Sequence, residues 1–569
     1  MTEEEILFAA AESDVEPWDT IPPDHDSDDE LTDPLREILR PPLRLAGPDL
    51  RPDILITPEV HETTEHMMRA ILVDKDLYHR GGALVHTIAS EEVKRGEDVL
   101  VVKGTPVIRP TPQSYLTDRI SRHARCVKKV KTKGGDEKWN HIPPPPNSVR
   151  AVLERGSWPG MRELRGILEA PSMRPDGTII QTPGYDEATK YLYEPNGAFP
   201  VIPDAPTHSD AVAAYGRLCE PFAQFPYSQE SHRSATIAAV LTLLARPAIS
   251  GSVPCWLFDA SSSRSGKSLQ VDVVHILATG RPASRMTYPE QDDELEKVLS
   301  SYAMRGAASV NFDNVARKFG GSALDKCITA VDTVDLRVLG ATELVTLPWT
   351  AIIFASGNNV DCRGDMLPRV LSPRLETPLD NPEQRSDLTI SDLRAWTKKN
   401  RGDLVRAALT ILRAYCVAGG PDQNLPKWGG FESWTRFVPQ AIAWVGAPDP
   451  MGARRGLEGD DDPEKQGALA LVTGWAALCA SLGKATTGLT AREAIAHLYP
   501  GRDSPPDPLN DPLREAIEVV TDAKPGAPPS VAKLGYAIRR LKGKPIGRRR
   551  LLADGTVGGA HRWRVVQVT

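Results

Sequence analysis

Apolar and polar positions change period several times along this 569-residue chain. Between residues 50 and 110 the short runs LVHTI, VLVVKG and PVIRPT predict strands, and QSYLTDRISRHARCVKKVKTK after them predicts a basic helical stretch. The run IPPPPNS at 142–148 puts four prolines in a row, which no helix interior accepts, and predicts a stiff extended connector. Turn signals (PDGT, TPGYD, EPNGAFP) mark a small region up to about 205, and helical periodicity dominates 206–250 in DAVAAYGRLCEPFAQF and SATIAAVLTLLARPA. Short apolar runs then alternate with helical segments: CWLFDA, SLQVDVVHILATG, ASVNFDN, LDKCITAVDT, AIIFASGNN. Buried strands alternating with helices predict an α/β region whose parallel sheet is covered on both faces. Beyond 380 the pattern turns helical (DLVRAALTILRAYCVAG, GALALVTGWAALCASLG), followed by the linker DSPPDPLNDPL and a terminal piece with one helix and two strands.

Charge sharpens this division. The net charge is −7, yet residues 1–33 carry no Lys or Arg, whereas from Lys533 to Arg564 the only acid is Asp554. The expected organisation is therefore an acidic disordered tail (1–48), a mixed α/β N-terminal domain (49–141), a proline-rich linker with a small accessory region (142–205), the central α/β domain (206–380), a helical domain (381–500) and a basic module (501–569). The basic module's order of helix, basic turn and two strands suits a winged helix that touches duplex DNA through Arg539, Arg540, Lys542, Lys544, Arg548, Arg549 and Arg550. Seven scattered cysteines without a CxxC spacing signal neither disulfides nor a zinc ribbon. With no apolar run of about 18 residues and an acidic N-terminus, no membrane partner and a cytoplasmic location are expected.

The chemistry centres on SSSRSGKS at 261–268, between the apolar run CWLFDA and a helix. That placement and the Gly266-Lys267-Ser268 ending fit a phosphate-binding loop, with Ser261 where the first glycine belongs. Ser261, Ser263, Arg264, Ser265, Gly266, Lys267, Ser268 and Leu269 would then cradle ATP, Lys267 reaching the β and γ phosphates and Ser268 holding Mg2+. Downstream, ASVNFDN ends a strand in Asp313, the place of a second Mg2+ acid, and AIIFASGNN ends another in Asn358 and Asn359, where an amide can sense the γ-phosphate. Loop, Asp and Asn at three strand ends describe an AAA+-like P-loop ATPase.

This order, with LLARPAISGSVPCWLFDA, VNFDN, DLRVLGATELVTLPWTAIIFASGNN and RGDMLPRVLSPRLE, resembles superfamily 3 helicases, particularly the helicase part of phage, prophage and plasmid primase-helicase proteins. The resemblance is good over 206–450 and weaker over LYHRGGALVHT and GSWPGMRELRGILEAPSMRPDGTI upstream. It implies catalytic roles for Lys267, Asp313 and Asn358, and a hairpin around Gly340 that grips single-stranded DNA in a pore, with Arg337 near its tip and Arg317 and Lys318 as nearby alternatives. It implies too that Arg374, with Arg369 as second candidate, reaches a neighbour's nucleotide, and hence a homo-oligomeric, hexameric ring.

Two residues depart from the family pattern. Arg264 stands where a glycine is usual and resists positive φ, and Asn314 stands where many relatives carry a second carboxylate as general base. Glu294 is an alternative base, and Lys297 on the same helix reads as surface. Asp74 and Asp76 form a DxD string in LVDKDLY, but a primase would need a paired His, a third carboxylate and a larger fold, so priming falls to a separate primase or polymerase. The function expected is ATP-dependent unwinding of DNA. The other reading, which Arg264 and Asn314 favour, is a nucleotide-switched DNA-binding initiator or defence-associated ATPase with little unwinding.

Overall fold

The run CWLFDA is a strand buried along its whole length in the computed structural model, which describes residues 50–567 apart from 96–97, 132–135, 263, 338–343, 364, 377–388, 455–462, 501–505, 522 and 547–548. Elements of the central region are numbered from it: β1 (Cys255–Ala260), α1 (Lys267–Thr279), β2 (Met286–Thr287), α2 (Asp292–Met304), β3 (Ser309–Val315), α3 (Ser322–Ile328), β4 (Thr333–Arg337), β5 (Leu344–Pro348), β6 (Ile352–Gly357), β7 (Val370–Leu371) and β8 (Arg374–Leu375). Six of these strands form one sheet in the order β2-β3-β6-β1-β7, with β8 continuing beside the end of β1. Every pairing in it is parallel. The C-terminal ends of β3, β6 and β1 therefore open on one side, where open α/β sheets bind ligands.

Continuous apolar runs make these strands because both faces are covered. Helix Glu230–Leu244 is buried from Ser234 to its end, and it receives the β1 indole, since Trp256 Nε1 donates to Ala235 O at 2.8 Å. The long helix Leu393–Val417 shares the same core. Its buried Arg401 donates to Leu277 O and Ala278 O, each at 3.0 Å, satisfying carbonyls left open where α1 ends. The expected helical domain at 381–500 thus divides: residues up to Ala453 pack in the core of the central sheet, whereas Leu471, Trp475, Leu489 and Leu498 join Leu534, Leu551 and Trp563 in a separate one. Periodicity located these helices but carried no information about which core each apolar face enters.

Two N-terminal expectations are corrected. The basic stretch is a helix only over Gln113–His123, and Arg125–Lys131 is a strand antiparallel to Glu137–Ile142 and parallel to Asp53–Leu55. Burial of Cys126 and Val127, paired with Ile54 and Leu55, outweighs the helical propensity of the lysines. The proline run is not a connector throughout, because Pro146 opens the helix Pro146–Leu153, where its missing N–H costs nothing. Val149, Val152 and Trp158 after it share a core with Met67, Ile71 and Ile120 before it.

The N-terminal region is fastened to the sheet edge. Asp98 Oδ1 accepts from Thr287 N and Oγ1 at 3.0 and 2.9 Å, and Arg285 N donates to Val99 O at 2.9 Å. Buried Arg80 donates to Leu164 O, Ala303 O and Pro348 O, joining this region to α2 and the base of β5. All seven cysteines are free thiols. Among the described residues no helix is long and apolar enough to cross a membrane. The tail expected to be disordered, 1–48, lies outside the described residues.

Candidate nucleotide site

Strand β1 delivers the chain to the loop at 261–266, and α1 begins at Lys267. Gly266 takes φ +100°, and a Cβ there would stand 2.9 Å from the Phe225 ring, so this position admits only glycine. Arg264 takes φ +57°, the left-handed conformation its side chain disfavours. The turn therefore forms with arginine in the glycine position, at a cost of about 1–2 kcal/mol. Ser261 and Arg264 are exposed, Ser265 is buried and Leu269 is half-buried against the core, while Ser263 lies outside the described residues.

The lysine and the two strand ends meet. Lys267 is 8% exposed, and its Nζ donates to Ser262 O at 3.1 Å, Ser265 Oγ at 3.2 Å and Asn358 Oδ1 at 2.6 Å. Burial pulls its pKa below the ordinary lysine value, against the opposing pull of Asp259 and Asp313. Ser268 Oγ donates to Asp313 Oδ1 at 2.9 Å, and Ser356 Oγ donates to the same oxygen at 2.5 Å. The ladder between β3 and β6 shifts register between Phe312 and Val315, a bulge that turns Asp313 and Asn314 out of the pairing. Asn314 sits at φ +53°, with its N–H donating to Ser356 Oγ at 3.4 Å. Asn359, at φ +46°, donates its N–H to Ala260 O at 3.2 Å, closing the Asn strand onto the end of β1. Ser268 and Asp313 present converging hard oxygen donors, which fits Mg2+ held by one or two protein groups plus substrate phosphates.

The arginines are differently placed. Arg374 lies beside Asp259 in the β8–β1 register; its Nη1 donates to Asp259 Oδ2 at 2.9 Å and Nη2 to Asn359 Oδ1 at 3.0 Å, next to the loop of its own chain. Arg369, directly before β7, is bonded to Asp325 of α3 instead. Arg337 is exposed at the end of β4, whose antiparallel pairing with β5 fits the expected hairpin; Gly340, expected at its turn, lies outside the described residues. Arg317 pairs with Glu290, and Lys318 beside it is exposed. Glu294 Oε1 accepts from Lys297 Nζ at 2.7 Å, so both belong to an ion pair on α2. Asp74 is fully buried, taking bonds from Arg119 Nη2 at 2.6 Å and the Asp76 N–H at 2.8 Å, with His123 Nε2 at 2.9 Å. That carboxylate's partners are spoken for within the fold.

Three polar groups here escaped the sequence reading. Asp259 is the penultimate residue of a buried strand and reads there as part of an apolar run; Ser356 is masked by the small residues of FASGNN. Arg285 Nε stands 3.7 Å from Asp313 Oδ2 while its Nη2 stands 3.2 Å from the buried Asp272, contacts without a sequence motif.

In the basic module, helix Val531–Leu541 exposes Arg539 and Arg540 and is followed by exposed Lys542 and Lys544; Arg549 and Arg550 are half-buried on the strand Arg549–Val557, antiparallel to Ala560–Gln567. Arg548 lies outside the described residues.

No protein-family model matches the chain, and no curated protein does. Solved structures do. The apo A form of the NrS-1 C-terminal region is 13% identical with a TM-score of 0.35, covering 77% of this chain and 93% of that one. SCCmec type IV Cch, an active helicase, is 11% identical with a TM-score of 0.33, covering 87% and 97%. JCV helicase is 12% identical at 0.19, covering 42% and 67%. The chain is thus similar to helicase structures at low identity and low TM-score, and its functional reading rests on the site itself.

Proposed function

We propose that this chain is an ATP-dependent DNA motor of superfamily 3 helicase type, working as a homo-oligomeric, hexameric ring that draws single-stranded DNA past the β4–β5 hairpins. The observation that carries the reading is the convergence of Lys267 with Asn358 and of Ser268 with Asp313 at the ends of three adjacent parallel strands. The amides at the start of α1 and the Lys267 ammonium bind the β and γ phosphates of ATP. On binding, Lys267 exchanges its bond to Asn358 for phosphate oxygen, freeing the amide to orient the attacking water. Mg2+, when bound, neutralises charge on the transferred phosphoryl group. Ser268 and Asp313 hold its place, and Ser356 fixes the Asp313 rotamer. Arg374 completes a neighbour's site in the ring, with Asp259 and Asn359 holding its guanidinium until subunits meet. The module around helix Val531–Leu541 acts as a winged helix on duplex DNA, its cations giving affinity through phosphates.

Turnover stimulated by single-stranded DNA, lost in Lys267→Ala and in Asp313→Ala, supports this reading; ATP binding with negligible turnover sinks it. That second outcome belongs to the nucleotide-switched initiator or defence ATPase, which two observations favour. Asn314 cannot accept a proton, and Glu294 is engaged by Lys297.

A further inference from the structure

The strands Arg125–Lys131 and Glu137–Ile142 leave the N-terminal core as a two-stranded arm. Cys126 and Val127 are buried at its base, but 128–131 and 137–141 are exposed although successive side chains point to opposite faces. Both faces beyond the base therefore meet solvent. Residues 125–142 hold six Lys or Arg and two acids in a chain whose net charge is −7. Arg125 is tied to Asp53 and Lys129 to Glu137, but among the described residues no ion pair involves Lys128, Lys131 or Lys138. Trp139, 48% exposed, shares the face of Lys129 and Lys131, with the Lys129 ammonium 5.4 Å from its ring centroid, while Lys128 and Lys138 occupy the opposite face of the arm. Val130 is exposed as well. A half-exposed indole and a half-exposed valine on a thin arm belong to none of the core clusters, so core packing gives no reason for them.

We propose that this arm is a second binding site for single-stranded nucleic acid, separate from the hairpin of the motor: Trp139 stacks on a base, Lys131 on the same face neutralises a phosphate, and Lys128 and Lys138 neutralise phosphates where the strand wraps over the edge of the thin arm to its other face. Interleaved aromatic and basic side chains are the combination that holds a flexible strand without reading its sequence. A duplex keeps its base faces stacked inside and offers Trp139 no face. A peptide added as a further strand would have to pair with Glu137–Ile142 or with 128–131 beyond the three residues that Asp53–Leu55 covers, and Lys138 on the one edge and Lys128 and Lys131 on the other are the kind of residue that blocks such pairing. The inference rests on the DNA side of the proposed function, but needs neither ATP nor a ring.

The test uses the full chain without nucleotide and a short single strand carrying 5-iododeoxyuridine, with the same sequence as duplex for comparison. Photo-cross-linking followed by mass spectrometry is expected to place the strand on Trp139. Trp139→Ala removes that cross-link and weakens single-strand affinity on the order of tenfold, whereas Trp139→Phe keeps most of it. Replacing Lys128, Lys131 and Lys138 together by Ala reduces the slope of log K against log salt by about 2. All these positions are exposed, and thermal melting verifies that each variant folds. Unchanged affinity and salt slope, or an equal loss on duplex, overturns the proposal. If DNA-stimulated ATPase is absent while the Trp139 cross-link persists, the motor reading fails and the arm stands.

Discussion

Lys267 and Asn358 are 91 positions apart and joined by one short bond, so replacing either should disturb the other's setting in the absence of nucleotide. Asn358→Ala is expected to leave ATP binding within a fewfold and to lower kcat by about 100-fold or more, the ordinary cost of losing one oriented catalytic group. A parallel rise in KM with kcat unchanged would instead make Asn358 a binding group. Arg264 permits a cleaner stability test. Because it already occupies φ +57°, Arg264→Gly removes backbone strain of about 1–2 kcal/mol while adding about 1 kcal/mol of unfolded-chain entropy, so Tm should hold or rise slightly. Arg264→Val puts a branched side chain where it is an outlier and should lower Tm clearly. Lys267, Ser268, Asp313 and Asn358, which the structure brings together, stood out in the sequence because Lys267 and Ser268 open a helix soon after an apolar strand while Asp313 and Asn358 lie at strand ends, where residue type and spacing carry the signal. Asp259, Ser356 and Arg285 were illegible because their roles come from neighbours distant in sequence: Arg374, Asp313 and the pair Asp272 and Asp313.

Among the elements, β8 and α1 carry the next predictions. Strand β8 sets Arg374 against its own chain's Asp259 and Asn359, and the proposed ring requires it to act on a neighbour. Mixing inactive Lys267→Ala with inactive Arg374→Ala chains discriminates between the two. If Arg374 serves the next subunit, mixed rings contain sites with both groups intact and ATPase reappears; if it acts only in its own chain, the mixture stays dead. Helix α1 buries His275 with Nε2 unbonded, its Nδ1 3.4 Å from Ser309 Oγ and its ring against Phe354. Burial pushes this imidazole down to about 4. Between that value and the unfolded histidine value of about 6.5 the unfolded chain binds the extra proton, so stability falls as pH drops through this window, by roughly 3 kcal/mol in all. Melting from pH 7 to 4.5 should show this slope, and His275→Gln should flatten it. Elements with a long uniform period were legible in the sequence. The strand Arg125–Lys131 was not, because its lysines are neutral in outline and its pairing with Asp53–Leu55 reaches across 72 residues.

At the scale of the whole molecule, domain borders were the least legible feature. Proline and charge marked linkers at 142–148 and near 503, yet packing crosses both: Val149 and Trp158 share a core with Met67, and Trp475 shares one with Trp563. Composition records where a chain turns, and the borders depend on which apolar faces meet. The N-terminal region is tied through Arg80 to the base of the β4–β5 hairpin and through Asp98 to the sheet edge, so it is anchored to the central α/β region at two places. The central claim is that ATP turnover at Lys267 separates DNA strands. The direct measurement is unwinding of a forked duplex with ATP and Mg2+, following release of one labelled strand, for the wild-type chain and Lys267→Ala. Strand release by the wild type that requires hydrolysable ATP and vanishes in Lys267→Ala is the predicted result. An intact fork under conditions where the wild-type chain hydrolyses ATP would contradict it.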